Sequence, residues 1–253
     1  MKTATILKGM AAAALLALAH AGANAQMVDH SPAKELVEID VHVLGGGSGI
    51  TQNYRGAFGE ITELNSSIGA SGGAGAGAVF GLRQWFGFGT ELNVVFNNNK
   101  LNMAVTNDDV TSVSNIFIKN HYIYLDIPVY VSFRFNVLHG LRWNIDAGMY
   151  YRFGIAGHQD QTIYNSTVNG LGQLVPQVVT ARPGYFHNTA TFINSYNRGD
   201  IGLHLATGLR FGRHFTIGVR AQFGLKNVAK VYSGVTCPRI HNFSLLASVG
   251  YKF

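Results

Sequence analysis

The chain of 253 residues contains a single cysteine, Cys237. No intramolecular disulfide can form, and the thiol lies far from the N-terminal stretch where a lipid-attachment cysteine would stand. Beyond the N-terminus no apolar run reaches the ~20 residues that a membrane-spanning helix needs. No run of basic residues is present either, so the net charge of +6 gives no nucleic-acid footprint. Ten histidines occur without an HExxH or any other tight ligand spacing, which leaves metal binding without sequence support. No nucleophile elbow or catalytic spacing surrounds Ser132, a serine in the polar phase of a predicted strand.

The first residues carry an address. Lys2 and Lys8 precede an apolar run from Ala11 to Ala19, and Ala23-Asn24-Ala25 forms an A-x-A cleavage site. Residues 1–25 therefore read as a secretory signal, too short for an anchor. Removing them leaves 253 minus 25, or 228 residues, and residues 26–253 have the length of one barrel domain. Lys2 and Lys8 leave with the signal, so the mature chain has 17 Lys and Arg against 13 Asp and Glu, a net +4.

What the rest of the chain does have is alternation. From His121 to Ile155, Ile123, Leu125, Ile127, Val129, Val131, Phe133 and Phe135 occupy every second position. Tyr122, Tyr124, Asp126, Pro128, Tyr130, Ser132 and Arg134 fill the gaps, and the pattern restarts in phase from Trp143 after Asn-Val-Leu-His-Gly. This is a long antiparallel hairpin with one apolar face and one face of charges, glycines and tyrosines. Strands of about ten residues, apolar outward and polar inward, are the mark of a transmembrane barrel.

The same template predicts strands over Leu36–Leu44, Ile68–Leu82, Trp85–Asn97, Ile201–Phe211, Phe215–Leu225 and Phe243–Phe253. With the hairpin they make eight, joined alternately by short and long connections. The longest irregular region runs from Ile155 to about Asp200. Short turns on the periplasmic side and long loops outside would put both termini in the periplasm. The glycine-rich stretch around Gly69, Gly73, Gly75 and Gly77 is followed by another alternating segment, not by the helix that a phosphate-binding loop requires. On the inner wall it leaves room for Arg and Tyr side chains reaching from opposite strands. A soluble lipocalin-like barrel is the alternative architecture, but it would turn Asp126, Arg134, Asp146, Arg152, Arg210 and Arg220 all outward.

Thr-Glu-Leu-Asn-Val-Val-Phe at residues 90–96, the strand from Tyr122 with its mid-strand Asp126-Ile127-Pro128, and Ala147-Gly148-Met149-Tyr150-Tyr151-Arg152-Phe153-Gly154 resemble the PorT-type outer-membrane β-barrel domain common in Bacteroidetes. The closing Ala247–Phe253 is similar to the terminal strand of outer-membrane proteins generally. That resemblance implies an outer-membrane location and recognition of Phe253 by the barrel assembly machinery. It implies a structural part in secretion or surface assembly for some members, and no catalytic residues.

Inside the expected barrel, Glu91, Asp126, Asp146, Arg134, Arg152, Arg210 and Arg220 form a charge network, since buried charges are tolerated when paired. With the hairpin turning at Asn136–Leu141, Asp126 falls opposite Tyr150 and diagonal to Arg152. Glu38, Asp40, Arg142 and Lys226 share the inward phase. Eight strands enclose a lumen that side chains can fill. Ser132 and His204 also face inward but lack catalytic spacing. Tyr164, Tyr185, Phe186, Phe192 and Tyr196 lie in the longest loop and are the candidate contacts for a surface protein or glycan, or else pack the loop on itself. The reading is a non-enzymatic, eight-stranded outer-membrane barrel of a Gram-negative bacterium, without cofactor or metal, acting in structure, adhesion or assembly. A narrow pore is the alternative, and a membrane-embedded hydrolase ranks third.

Overall fold

The computed structural model describes residues 28–106, 112–138, 140–186, 195–230 and 237–253. The expected signal, residues 1–25, lies outside them. Nine strands are present among the described residues: β1 (Val37–Gln52), β2 (Ile61–Arg83), β3 (Phe86–Thr106), β4 (Ser112–Leu138), β5 (Leu141–Val168), β6 (Leu174–Ala181), β7 (Gly199–Phe211), β8 (Phe215–Gly224) and β9 (Ile240–Lys252). All pairings are antiparallel, and β1 to β5 with β7 to β9 close into an eight-stranded ring sealed by β1 against β9. One helical turn, α1 (Tyr54–Ala57), follows β1, with the Asn53 side chain accepting from the Gly56 amide.

Burial inverts the rule for soluble proteins. Val41, Leu92, Phe96, Val129, Met149, Leu203, Val219 and Val249 are exposed on the outer face, while Asn93, Asp126, Arg152, His204 and Gln222 are buried within. Only an apolar surround makes that arrangement stable, because each strand alternates between lipid and lumen. No described helix is long and apolar enough to cross a membrane. The three short connections fall between β2 and β3, β4 and β5, and β7 and β8. Two of them turn on glycines in the left-handed region, Gly140 at φ 79° and Gly212 at φ 62°.

Three expectations need correction. The region after Ile155 is not irregular: β5 continues to Val168 and β6 pairs back on it, so β3 to β6 rise beyond the apolar belt as a sheet. The eight-residue β6 carries exposed side chains on both faces, which is why no period-two contrast marked it. The β4–β5 turn is tighter than drawn, with Asn136 opposite Arg142, and so Asp126 pairs directly with Arg152 while Tyr150 faces Pro128. Third, the space beside the β2 glycines is taken by neighbours: a Cβ on Gly77 would lie 2.6 Å from Asp40 Oδ1. The large rings lie over other glycines, Tyr130 over Gly89 and Tyr150 over Gly202.

Candidate functional site

The barrel interior is built in three layers. At the short-turn end Glu38 of β1 is surrounded by cations. Arg134 of β4 approaches it at 3.0 Å, Lys252 of β9 at 2.5 Å and Arg210 of β7 at 3.5 Å. An open cavity lined by Glu38, Arg134, Arg142, Arg210 and Lys252 extends from here to Glu91 and Arg220.

The middle layer is a web of bonds across the lumen. Arg152 Nε donates to Asp126 Oδ1 at 2.8 Å, and its guanidinium reaches Ser244 Oγ at 3.0 Å and the Gln222 side chain. Gln222 Nε2 donates to Asp126 Oδ2 at 3.0 Å, and the Arg152 guanidinium lies 4.5 Å from the Tyr150 ring centroid. Glu91 accepts from Arg220, from Asn93 Nδ2 at 3.0 Å and from Tyr130 Oη at 3.3 Å. His42 bridges Asp40 and Asn93, each at 2.7 Å. The partners Asp126 and Gln222, Glu91 and Arg220, Glu38 and Arg134, and Arg152 and Ser244 sit on strands that do not adjoin in the ring. They are struts, not ladder neighbours.

Asp146 is the exception among the expected charges. It accepts from Asn144 Nδ2 at 2.6 Å and faces Ser132 across the ladder, with no ion-pair partner among the described residues. Lys226 lies past the end of β8 and is exposed, outside the lumen. His204 stacks on Tyr130 at 5.5 Å. Asp146 thus lies beside Ser132, and His204 Nδ1 has no hydrogen-bond partner among the described residues.

The third layer, at the long-loop end, overturns the surface role expected for the loop aromatics. Tyr185, Phe186 and Tyr196 are buried, and they join Tyr54, Tyr122, Tyr124, Leu101, Ile118 and Ile240 in one core inside the barrel. The Tyr185 ring is stacked between Tyr122 and Tyr196, with centroids 4.3 Å away on each side. Burial pushes the Tyr54 and Tyr185 hydroxyls well above their ordinary value, and both stay neutral. Of the five loop candidates Tyr164 alone is described and exposed, packed edge-on against Phe117. Phe192 lies outside the described residues. Phe253 is exposed at the seam, its amide donating to the Ile39 carbonyl at 3.0 Å.

Asp200 accepts from Tyr150 Oη at 3.1 Å and from Asn242 Nδ2 at 3.0 Å, just before the predicted strand from Ile201. Gln222, Ser244, His42 and Lys252 complete the network and are not among the members expected from the sequence. Their inward phase was the available signal; their partners are set by strands far away in sequence.

Solved structures with a similar course include OprG from Pseudomonas aeruginosa, at 10% identity over 91% of this chain and 99% of that one, TM-score 0.40. Ail of Yersinia pestis, crystallised with the heparin analogue sucrose octasulfate, matches at 10% identity over 87% of this chain and 100% of its own, TM-score 0.34. Neisserial surface protein A matches at 9% identity, 87% and 98% coverage, TM-score 0.32. Among curated proteins nothing matches the chain. The model of the outer membrane protein beta-barrel domain matches residues 24–230, most of the length. With the closed ring and its lipid-compatible outer face, that match makes this chain a member of the outer membrane protein beta-barrel domain family.

Proposed function

We propose that this outer-membrane barrel is a closed, non-enzymatic scaffold that works through the platform which β3 to β6 raise at the long-loop end, as a structural, adhesion or surface-assembly component. The observation that carries the reading is the filling of the lumen: struts cross its middle and an aromatic core occupies its long-loop end. An interior so occupied supports a rigid mount better than a conduit. On the platform, Leu171, Leu174, Val178 and Tyr164 are exposed beyond the apolar belt, and apolar surface held above a membrane suits contact with a protein or glycan.

On this reading residues 1–25 are a cleaved signal, the short turns and both termini of the mature chain face the periplasm, and Phe253 is read by the barrel assembly machinery. The resemblance of residues 90–96, 122–135 and 147–154 to the PorT-type domain supports a place in surface assembly. The open cavity among Glu38, Arg134 and Arg210 favours a narrow pore as the second reading, if its floor at Glu91 and Arg220 opens.

Attachment of bacterial cells to protein- and glycan-coated surfaces tests the platform. Replacing Leu174, Val175, Val178 and Val179 by serine should reduce attachment several-fold while the amount of folded barrel in the outer membrane is unchanged. Equal attachment by cells with the unmodified and the substituted barrel would contradict the reading.

A further inference from the structure

His121 of β4 and His158 of β5 stand opposite each other in the ladder, outside the barrel and just past the end of the apolar belt at Ile123 and Ile155. Their rings stack at 5.1 Å. Asp160, two residues further along β5, shares their face because strand side chains alternate. One donor atom from each of the three lies within 4.8 Å of the other two. Asp160 Oδ2 is 3.6 Å from His121 Nε2 and 3.8 Å from His158 Nε2. Ligand atoms at about 2.0–2.2 Å from a tetrahedral zinc ion are about 3.3–3.6 Å apart. The two distances from Asp160 lie within tenths of an ångström of that spacing.

The hydrogen bonds fix which atoms carry lone pairs. Asn98 Nδ2 donates to the Ala70 carbonyl at 2.9 Å, which turns the amide oxygen toward His121 Nδ1, 2.6 Å away. Nδ1 therefore carries a proton, and in the neutral form of the ring Nε2 holds the lone pair that faces the Asp160 carboxylate. His158 Nε2 is an acceptor too, taking a bond from the Arg182 guanidinium at 2.8 Å. Two imidazole lone pairs and a carboxylate converge, and that convergence is stable only around positive charge. The Asn98 bond to the far nitrogen of His121 is the outer-shell contact that orients a ligating histidine.

Arg182 now supplies the positive charge, with Nε 3.1 Å from Asp160 Oδ1. Its side chain is 67% exposed, so it leaves the cluster at little cost. We propose that His121 Nε2, His158 Nε2 and the Asp160 carboxylate form a site for a divalent transition metal of the zinc, nickel or copper class, covered by Arg182 until the metal displaces it. Imidazole with one carboxylate selects that class over magnesium or calcium. Three protein ligands leave a coordination position open to water or to a donor from outside. The site lies on the rim of the long-loop end, where dissolved metal reaches it without crossing the barrel.

Zinc titration by calorimetry, on the full mature chain without an affinity tag and refolded in detergent, tests the proposal. One ion per barrel should bind. His121→Ala and His158→Ala should each weaken that binding at least tenfold, and Arg182→Gln should strengthen it several-fold. Cobalt should give a tetrahedral visible spectrum that both histidine variants lose. Retention of the heat-dependent gel shift verifies folding of each variant, whose changes lie outside the lumen. Absence of saturable binding, or equal binding by the unmodified barrel and a His121→Ala/His158→Ala double variant, overturns the site. Unchanged or weaker binding by Arg182→Gln overturns the displacement.

Discussion

Arg152 and Asp126 face each other across the β4–β5 ladder, joined at 2.8 Å, with side chains only 2% and 1% exposed. Gln222 and Ser244 reach the same pair from the far side of the lumen. Removing one partner leaves a buried charge alone, and such a loss costs about 3–5 kcal/mol. Arg152→Ala is expected to destabilise the refolded barrel by about that amount. The Asp126→Ala/Arg152→Ala double variant should lose much less than the sum of the single changes. Urea unfolding in lipid vesicles measures both, and additive losses would show that the pair does not act as a unit.

A second expectation concerns which face meets lipid. Val129 is 58% exposed on the lipid-facing side of β4, midway between Ile123 and Phe135, whereas Leu171, 84% exposed, stands in the turn between β5 and β6. An arginine at the bilayer midplane costs about 2–4 kcal/mol. Val129→Arg should therefore cut the folded yield sharply while Leu171→Arg leaves it near that of the unmodified chain. Equal yields, read from heat-dependent gel mobility, would contradict the face assignment.

The seam gives a third. Phe253 donates its amide to Ile39 where β9 meets β1, and Lys252 beside it pairs with Glu38 at 2.5 Å. Deleting Phe253 should leave exported but unassembled protein, both because closure removes the open sheet edge and because the terminal aromatic is the expected assembly signal. Protease treatment of outer membranes and periplasm measures it; a protease-resistant, membrane-inserted deletion variant is the contrary result.

Glycine spacing supplies a fourth. A Cβ on Gly202 would press on the Phe223 carbonyl and lie 2.6 Å from the Tyr150 ring. Gly202→Val should block refolding, and Gly170→Val, with open space around it, should not. Comparable refolding of the two would show that the lumen is looser than drawn.

The eight ring strands were legible because lipid enforces contrast: Val129 beside Tyr130 and Leu125 beside Asp126 can be read without knowing any partner. Where both faces of a strand meet water, as at Val175 or Gln177 in β6, that contrast vanishes and so did the strand. The register of the hairpin depended on the tightness of its turn, and one step there displaced Arg152 from its place opposite Asp126. The cross-lumen partners Gln222 and Ser244 follow from barrel closure, which no local pattern encodes. Tyr185 and Tyr196 look like any loop tyrosines until the loop's inward path is known. His121, His158 and Asp160 escaped notice for a similar reason, since their spacing exists only across the ladder.

The central claim is that this lumen is closed, and single-channel recording tests it most directly. The unmodified barrel, reconstituted in a planar bilayer, is expected to show no stable conductance, because the Asp126–Arg152–Gln222 struts lie beneath the Tyr122–Tyr185–Tyr196 stack. Discrete, reproducible conductance steps from the unmodified protein would contradict the closed scaffold and establish the pore in its place.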